Sequence, residues 1–207
     1  ALILALTVLP LKAVGAESSY NCGSMVCDEI AVNPHDKASL QSGAKLYMNY
    51  CMGCHSLQYS RHNRVAADLG IPEDIYQANL MFDPDEKIGA LMENAMDEGT
   101  AKVWFGATPP DLTLVSRART PEWLYTYLRM FYKDDSRPYG VNNKVFKDVG
   151  MPHVLLELQG MQACAMGPVT AQNGGVKRDP LTGEDILQEP CGQFTVSEAG
   201  SMTPKEY

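Results

Sequence analysis

Apolar residues recur along this chain at helical spacing in several short, separate runs. Over 38–50 they fall at Leu40, Ala44, Tyr47 and Met48, with Cys51 next in line, the stripe of an amphipathic helix. Asp36 or Ser39 is placed to cap it. Gly43 lies inside this run, where glycine costs roughly 1 kcal/mol against alanine; it predicts a close helix–helix crossing or else an indifferent surface position. Pro72-Glu73-Asp74 opens another helix, with proline at its first position and acids in its first turn. A further helix is expected over 85–96, where Ile88, Leu91, Met92, Ala95 and Met96 keep the period and the methionines read as core filler. Pro109-Pro110-Asp111-Leu112 forms a rigid turn opening a short helix to Arg119. The clearest signal is 121–132, capped by Thr120-Pro121-Glu122 and striped by Leu124, Tyr127, Leu128 and Phe131.

The remaining segments lack a period. Residues 17–35 carry Gly23, Pro34 and two cysteines and read as an irregular arm, while 133–150 are polar and turn-rich. Beyond Gln159, turn signals at Gly167-Pro168, Asn173-Gly174-Gly175, Asp179-Pro180 and Thr182-Gly183 punctuate an excursion over 160–192. Asn173-Gly174 suits a hairpin turn, and a loop this long needs either a function or a tether. No internal repeat or low-complexity tract occurs. Strand content reads as small, so the expected fold is mainly α, in one domain.

The chain has 207 residues and a formal charge of −8, a balance that points away from nucleic acid. Residues 1–16 have the apolar core and cleavage end of a secretory signal, with Val14-Gly15-Ala16 fitting the small-residue rule and Glu17 opening the mature chain. Lys12 interrupts the apolar run well short of the ~18–20 residues needed to span a bilayer. The charged start of a signal is lacking, so the chain is expected to be truncated there. Loss of Lys12 with the signal takes the charge from −8 to −9.

Export changes the meaning of the six cysteines. Cys51-Met52-Gly53-Cys54-His55 is the attachment signature of c-type haem. Two thiols at this spacing reach the two vinyl groups on one edge of the porphyrin and form thioethers. His55 then lies under the ring as the proximal iron ligand. A zinc site would want a second close pair of ligands, which the other histidines (35, 62 and 153) and the remaining cysteines do not supply. A redox-active dithiol would follow a strand in a βαβ pattern, whereas a helical period leads into this motif. Cys22, Cys27, Cys164 and Cys191 are left, an even number suited to two disulfides with three connectivities. Cys22–Cys27 and a Cys164–Cys191 bridge closing the excursion are expected, the latter stabilising by roughly 3–4 kcal/mol in the chain-entropy model. Arm-to-excursion pairing and four buried thiols are the alternatives.

Iron held by His55 has a sixth position. Methionine there raises the potential and suits electron transfer, a second histidine lowers it, and an open position suits a peroxidase. By spacing the candidates are Met151 in Gly150-Met151-Pro152, Met202 in Gly200-Ser201-Met202-Thr203-Pro204, and His153.

Taken together, several segments resemble the cytochrome c1 family of bacterial bc1 complexes. They are Tyr50 to Ser56 around the motif, Asp68-Leu69-Gly70-Ile71-Pro72, Trp104-Phe105-Gly106, Pro109-Pro110-Asp111-Leu112 with Arg117-Ala118-Arg119, and Asn142-Asn143 with Phe146 and Gly150-Met151-Pro152. The resemblance runs from about 36 to 159. It implies a class I cytochrome c-like haem domain with long irregular loops, over 17–207 after the signal remnant at 1–16, carrying one haem c through Cys51 and Cys54. It implies Met151 as sixth ligand and Arg119 and Tyr125 at the haem propionates, with Pro110 also in the cofactor site. Gly150 would let backbone approach the ring closely and Pro152 would hold Met151 extended. The implied partners are cytochrome b, a Rieske iron–sulfur protein as donor and a soluble cytochrome c as acceptor, at the periplasmic face of the inner membrane. Family members continue into a final helix and a membrane anchor, expected to be missing where this chain stops at Tyr207. A stand-alone periplasmic monohaem carrier and a haem peroxidase remain the rival functions.

Overall fold

Asp36 accepts the amide of Ser39 at 3.1 Å and so caps α1, Lys37–Leu46, in the way its short carboxylate favours. The structure, a computed structural model, describes residues 22–23, 25–168, 175–176 and 178–207, excepting the side chains of 165–168 and 187–193. The signal-like segment and the Asn173-Gly174 turn lie outside them. Past Leu46 the helix widens into a π turn, Tyr47–Cys51, in which the Met52 amide reaches back to the Tyr47 carbonyl at 2.9 Å. Gly43 sits on the exposed face, and no heavy atom lies within 4 Å of where its Cβ would be, so no helix crosses there among the described residues.

Strand β1 (Leu57–Arg61) and helix α2 (His62–Leu69) follow the turn, and α3 (Glu73–Leu80) starts with its two acids in the first turn as expected, but with Pro72 at the N-cap rather than at the first helical position. The helix expected over 85–96 does not form. Leu91–Met92 is instead β2, antiparallel to β1. The carbonyls of Ala90 and Ile88 accept the amides of His62 (3.2 Å) and Asn63 (2.8 Å). Backbone groups that a local helix would use internally thus satisfy the orphan amides at the start of α2. Met92 is 1 % exposed in a core with Met48, Ala66, Tyr76 and Leu80. That packing bears out its reading as filler.

Helix α4 (Glu98–Phe105), not foreseen from the pattern, is capped by Asp97, which accepts the Thr100 amide at 2.8 Å. Helix α5 spans Val115–Ala118, and α6 (Pro121–Arg129) opens on Thr120, whose hydroxyl accepts the Trp123 amide at 3.2 Å. The helix stops at Arg129 rather than 132, because Phe131–Lys133 forms β3 and pairs antiparallel with β4, Val141–Asn143. Cys22 and Cys27 are bridged, and this end of the arm packs with Trp123 and Val145. Phe131, Val141 and Val149 make a neighbouring cluster that Tyr127 and Met151 join.

Helix α7 (Leu156–Gln159) then leads into a long antiparallel pair, β5 (Gly160–Pro168) and β6 (Leu187–Ala199). A Cβ on Gly160, at φ +83°, would stand 2.2 Å from the Glu198 carbonyl, so glycine is required where the ribbon meets the body. Cys164 is disulfide-bonded, and the side chain of its expected partner Cys191 lies outside those described. With 34 % helix and, among the described residues, three two-stranded antiparallel sheets, the fold is mixed rather than mainly α. The strands escaped the pattern because they are short or, as in Gly160-Met161-Gln162-Ala163, do not alternate cleanly. Among the described residues no helix is long and apolar enough to cross a membrane.

Candidate functional site

The turn that ends α1 gathers the motif. The amides of Cys54 (3.0 Å) and His55 (2.9 Å) both return to the Cys51 carbonyl, so all three side chains leave one tight turn. From the helix side the Tyr47 hydroxyl donates to the His55 carbonyl. Burial pushes the Tyr47 phenol well above its ordinary pKa, so it stays a donor.

His55 Nδ1 lies 2.7 Å from the carbonyl of Pro110. A carbonyl only accepts, so Nδ1 must carry the ring proton and Nε2 keeps its lone pair for a metal. The Pro110 turn is itself stitched to the motif strand. The Leu112 amide donates to the Ser56 carbonyl at 2.9 Å, and the Asp111 carboxylate accepts the amides of Gln58 (2.7 Å) and Thr113 (2.9 Å). Burial alone would raise the Asp111 pKa. Those hydrogen bonds outweigh it, and the group ends below the usual carboxylate range. A cavity of about 500 Å³ opens here, lined by Cys54, Asn94, Met96, Thr108, Pro109 and Pro110. It falls in the size range of small-molecule and cofactor sites.

Cys51 and Cys54 are unbridged, half-buried thiols. Burial raises both pKa values, and at Cys51 the neighbouring Cys54 adds to the effect. A reactive dithiol needs the opposite shift.

Met151 leaves a loop built by two asparagines. Asn143, fully buried, accepts the amides of Val145 (2.9 Å) and Phe146 (3.2 Å) and donates to the Tyr127 carbonyl at 2.7 Å. Asn142 accepts the Asp148 amide at 2.8 Å. A Cβ on Gly150 would meet the Phe105 carbonyl at 2.8 Å, so the close approach at this glycine is to the end of α4. The Met151 sulfur accepts the Tyr127 hydroxyl at 3.3 Å. Met202 lies apart from this loop, with Arg129, Met130 and Tyr207 around a second cavity. His153 is buried and stacked on Phe131 (centroids 4.9 Å, 2° between planes), and burial lowers its pKa.

Arg119 is exposed, with its guanidinium 4.8 Å from the centre of the Trp123 ring. The Tyr125 hydroxyl accepts from Arg129, so the two side chains expected together are held by different partners. His55, Cys54 and Pro110 are thus brought together, and Met151 and Arg119 lie on a second group linked through Tyr127 and Trp123.

The sequence profile of the Cytochrome C1 family matches residues 28–163. The chain belongs to the cytochrome c1 family. A cytochrome c1 from Allochromatium vinosum is 50 % identical over 181 residues, covering 85 % of this chain and 66 % of that protein. A protein of Nitrosomonas europaea named ammonia monooxygenase gamma subunit is 38 % identical over 207 residues, all of this chain and 75 % of its own length. Cytochrome b/c1 of Bradyrhizobium diazoefficiens is 24 % identical over 199 residues, 83 % of this chain and 27 % of that protein. Members of the cytochrome c1 family bind a single covalent c-type haem through a Cys-x-x-Cys-His motif, and the family has the class I c-type character expected. The residues present fit that group: two unbridged thiols precede a histidine whose tautomer presents Nε2.

Sequence reasoning did not single out Asp111, Asn143 or the Tyr127 hydroxyl as parts of the site. Asn142-Asn143 carried a signal, two polar residues in a segment the structure buries. Tyr127 looked like one more position on an apolar stripe.

Proposed function

We propose that this chain is an electron-transfer subunit of a bc1-type ubiquinol–cytochrome c reductase. In this reading it works beside cytochrome b at the periplasmic face of the bacterial inner membrane, as one haem domain over 17–207 following export-signal sequence at 1–16. It takes an electron from a Rieske iron–sulfur protein and passes it to a soluble cytochrome c, and makes or breaks no substrate bond. The observation that carries the reading is the His55–Pro110 hydrogen bond, which aims Nε2 as a ligand beside two unbridged thiols. The names of the A. vinosum and B. diazoefficiens relatives support it.

The residues divide the work. Cys51 and Cys54 would hold a haem covalently through their thiols, and His55 Nε2 and the Met151 sulfur would be the ligands of its iron. Bound haem supplies a one-electron couple whose potential a methionine ligand raises. Arg119 suits a propionate by charge and fork geometry. Tyr125, accepting from Arg129, still has its own hydrogen to donate to the other. A peroxidase would need a displaceable sixth ligand; the hydrogen bond already holding the Met151 sulfur favours a closed one.

The surface fits a basic acceptor. Glu73, Asp74, Asp83 and Asp85 are exposed acids, whereas Glu86 is held by His62 at 3.0 Å. Attraction from such a surface speeds encounter and fades with salt. In membranes given a quinol and a basic cytochrome c, we expect this haem to be reduced by the quinol and reoxidised at a rate that falls as ionic strength rises. No reduction by quinol would contradict the role, and a rate flat in salt would contradict the basic acceptor. Purification with an ammonia monooxygenase in place of a cytochrome b, as the name of the N. europaea relative raises, would replace the proposed complex.

A further inference from the structure

Tyr127 reaches from α6 to the sulfur of Met151, and its hydroxyl is the group that holds that sulfur. The hydroxyl donates to Sδ at 3.3 Å. The ring is held on two sides, lying flat on Trp123 (centroids 5.0 Å, 8°) and edge-on to Phe131 (5.3 Å, 67°). Its backbone carbonyl accepts from the Asn143 side chain at 2.7 Å, which ties α6 to the segment leading to Met151. A phenol hydroxyl carries one hydrogen to donate, and a thioether sulfur can only accept it.

A thioether sulfur has two lone pairs, so it can bind a metal through one and accept a hydrogen bond through the other. A donor on the second pair draws electron density from the sulfur. The sulfur then donates less to iron, which weakens the oxidised state more than the reduced one. Hydrogen bonds to a ligand also orient it and are a recognised lever on potential. We propose that Tyr127 acts through Met151 as a positioning and tuning residue, aiming the sulfur and holding the reduction potential of the haem up. This rests on Met151 being the sixth ligand.

Tyr127→Phe removes only the hydroxyl and keeps the stack, and is to be made in the full-length, haem-loaded protein in its complex. The expected result is haem still covalently attached, the far-red iron–sulfur charge-transfer absorption still present, and a midpoint potential below that of the unsubstituted protein. An unchanged potential with that absorption present overturns the proposal. Failure of the ligand assignment looks different: Met151→Leu would then leave the absorption and the closed iron intact. Should Tyr127→Phe not accumulate, proton NMR of the reduced, unsubstituted protein decides. The methionine-ligand signals, shifted upfield by the haem ring current, should show a nuclear Overhauser contact with the Tyr127 ring; its absence overturns the proposal equally.

Discussion

Asp111 never touches the histidine ring, yet it holds the carbonyl that sets the ring's tautomer. Both carboxylate oxygens accept backbone amides, from Gln58 and from Thr113. Asparagine keeps the shape but must turn an NH2 toward one of those amides, donor against donor. We therefore expect Asp111→Asn to destabilise the haem-loaded protein by about 1 kcal/mol at neutral pH, after allowing for exposure. The pH dependence has a definite sign. A carboxyl whose folded pKa lies below its unfolded value of about 3.9 contributes stability above that value and loses it as pH falls through the folded one. The gap between the two proteins in denaturant melts should be full near neutrality and shrink below about pH 4; a gap constant with pH would contradict this origin. At this scale the motif was legible because haem chemistry fixes its spacing locally. Asp111 and the Tyr127 hydroxyl were not, since each acts through a partner far away in sequence that no period reveals.

Among the elements, α6 carries the most. It presents Trp123 to the disulfide-bridged arm, Thr126 to the Asp28 amide at 2.8 Å and Tyr127 to Met151. Its start depends on one hydroxyl, so Thr120→Ala should destabilise by about 1 kcal/mol, within a usual range of roughly 0.5–2, while Thr120→Ser should retain most of the cap. Equal melts for the alanine and serine variants would contradict that reading. The helix was readable in advance because cap, proline and stripe agree. The segment over 85–96 shows the limit of the same reasoning: its apolar residues keep a helical period, but the carbonyls of Ile88 and Ala90 are claimed by α2, and Leu91 and Met92 pair with β1. The ribbon β5–β6 shows in the sequence only as turn signals over an excursion, since pairing between segments so far apart leaves little local trace.

At the scale of the molecule, a chain of this length ordinarily builds one contiguous core. Here the buried apolar side chains described fall into three clusters, one behind the Cys51–His55 turn and two on the Met151 side. Such a division suits a fold completed by an internal cofactor with a ligand from each side, and that is the central claim: one iron held by His55 and Met151. The direct test is Met151→Leu in the full-length, haem-loaded protein, reading midpoint potential and carbon monoxide binding together. The account predicts haem that survives denaturation on the chain, a lowered potential, and an iron that now binds carbon monoxide. An unchanged potential with the iron still closed would contradict it, and would pass the sixth position to Met202 or to His153, whose buried Nε2 has no partner among the described residues.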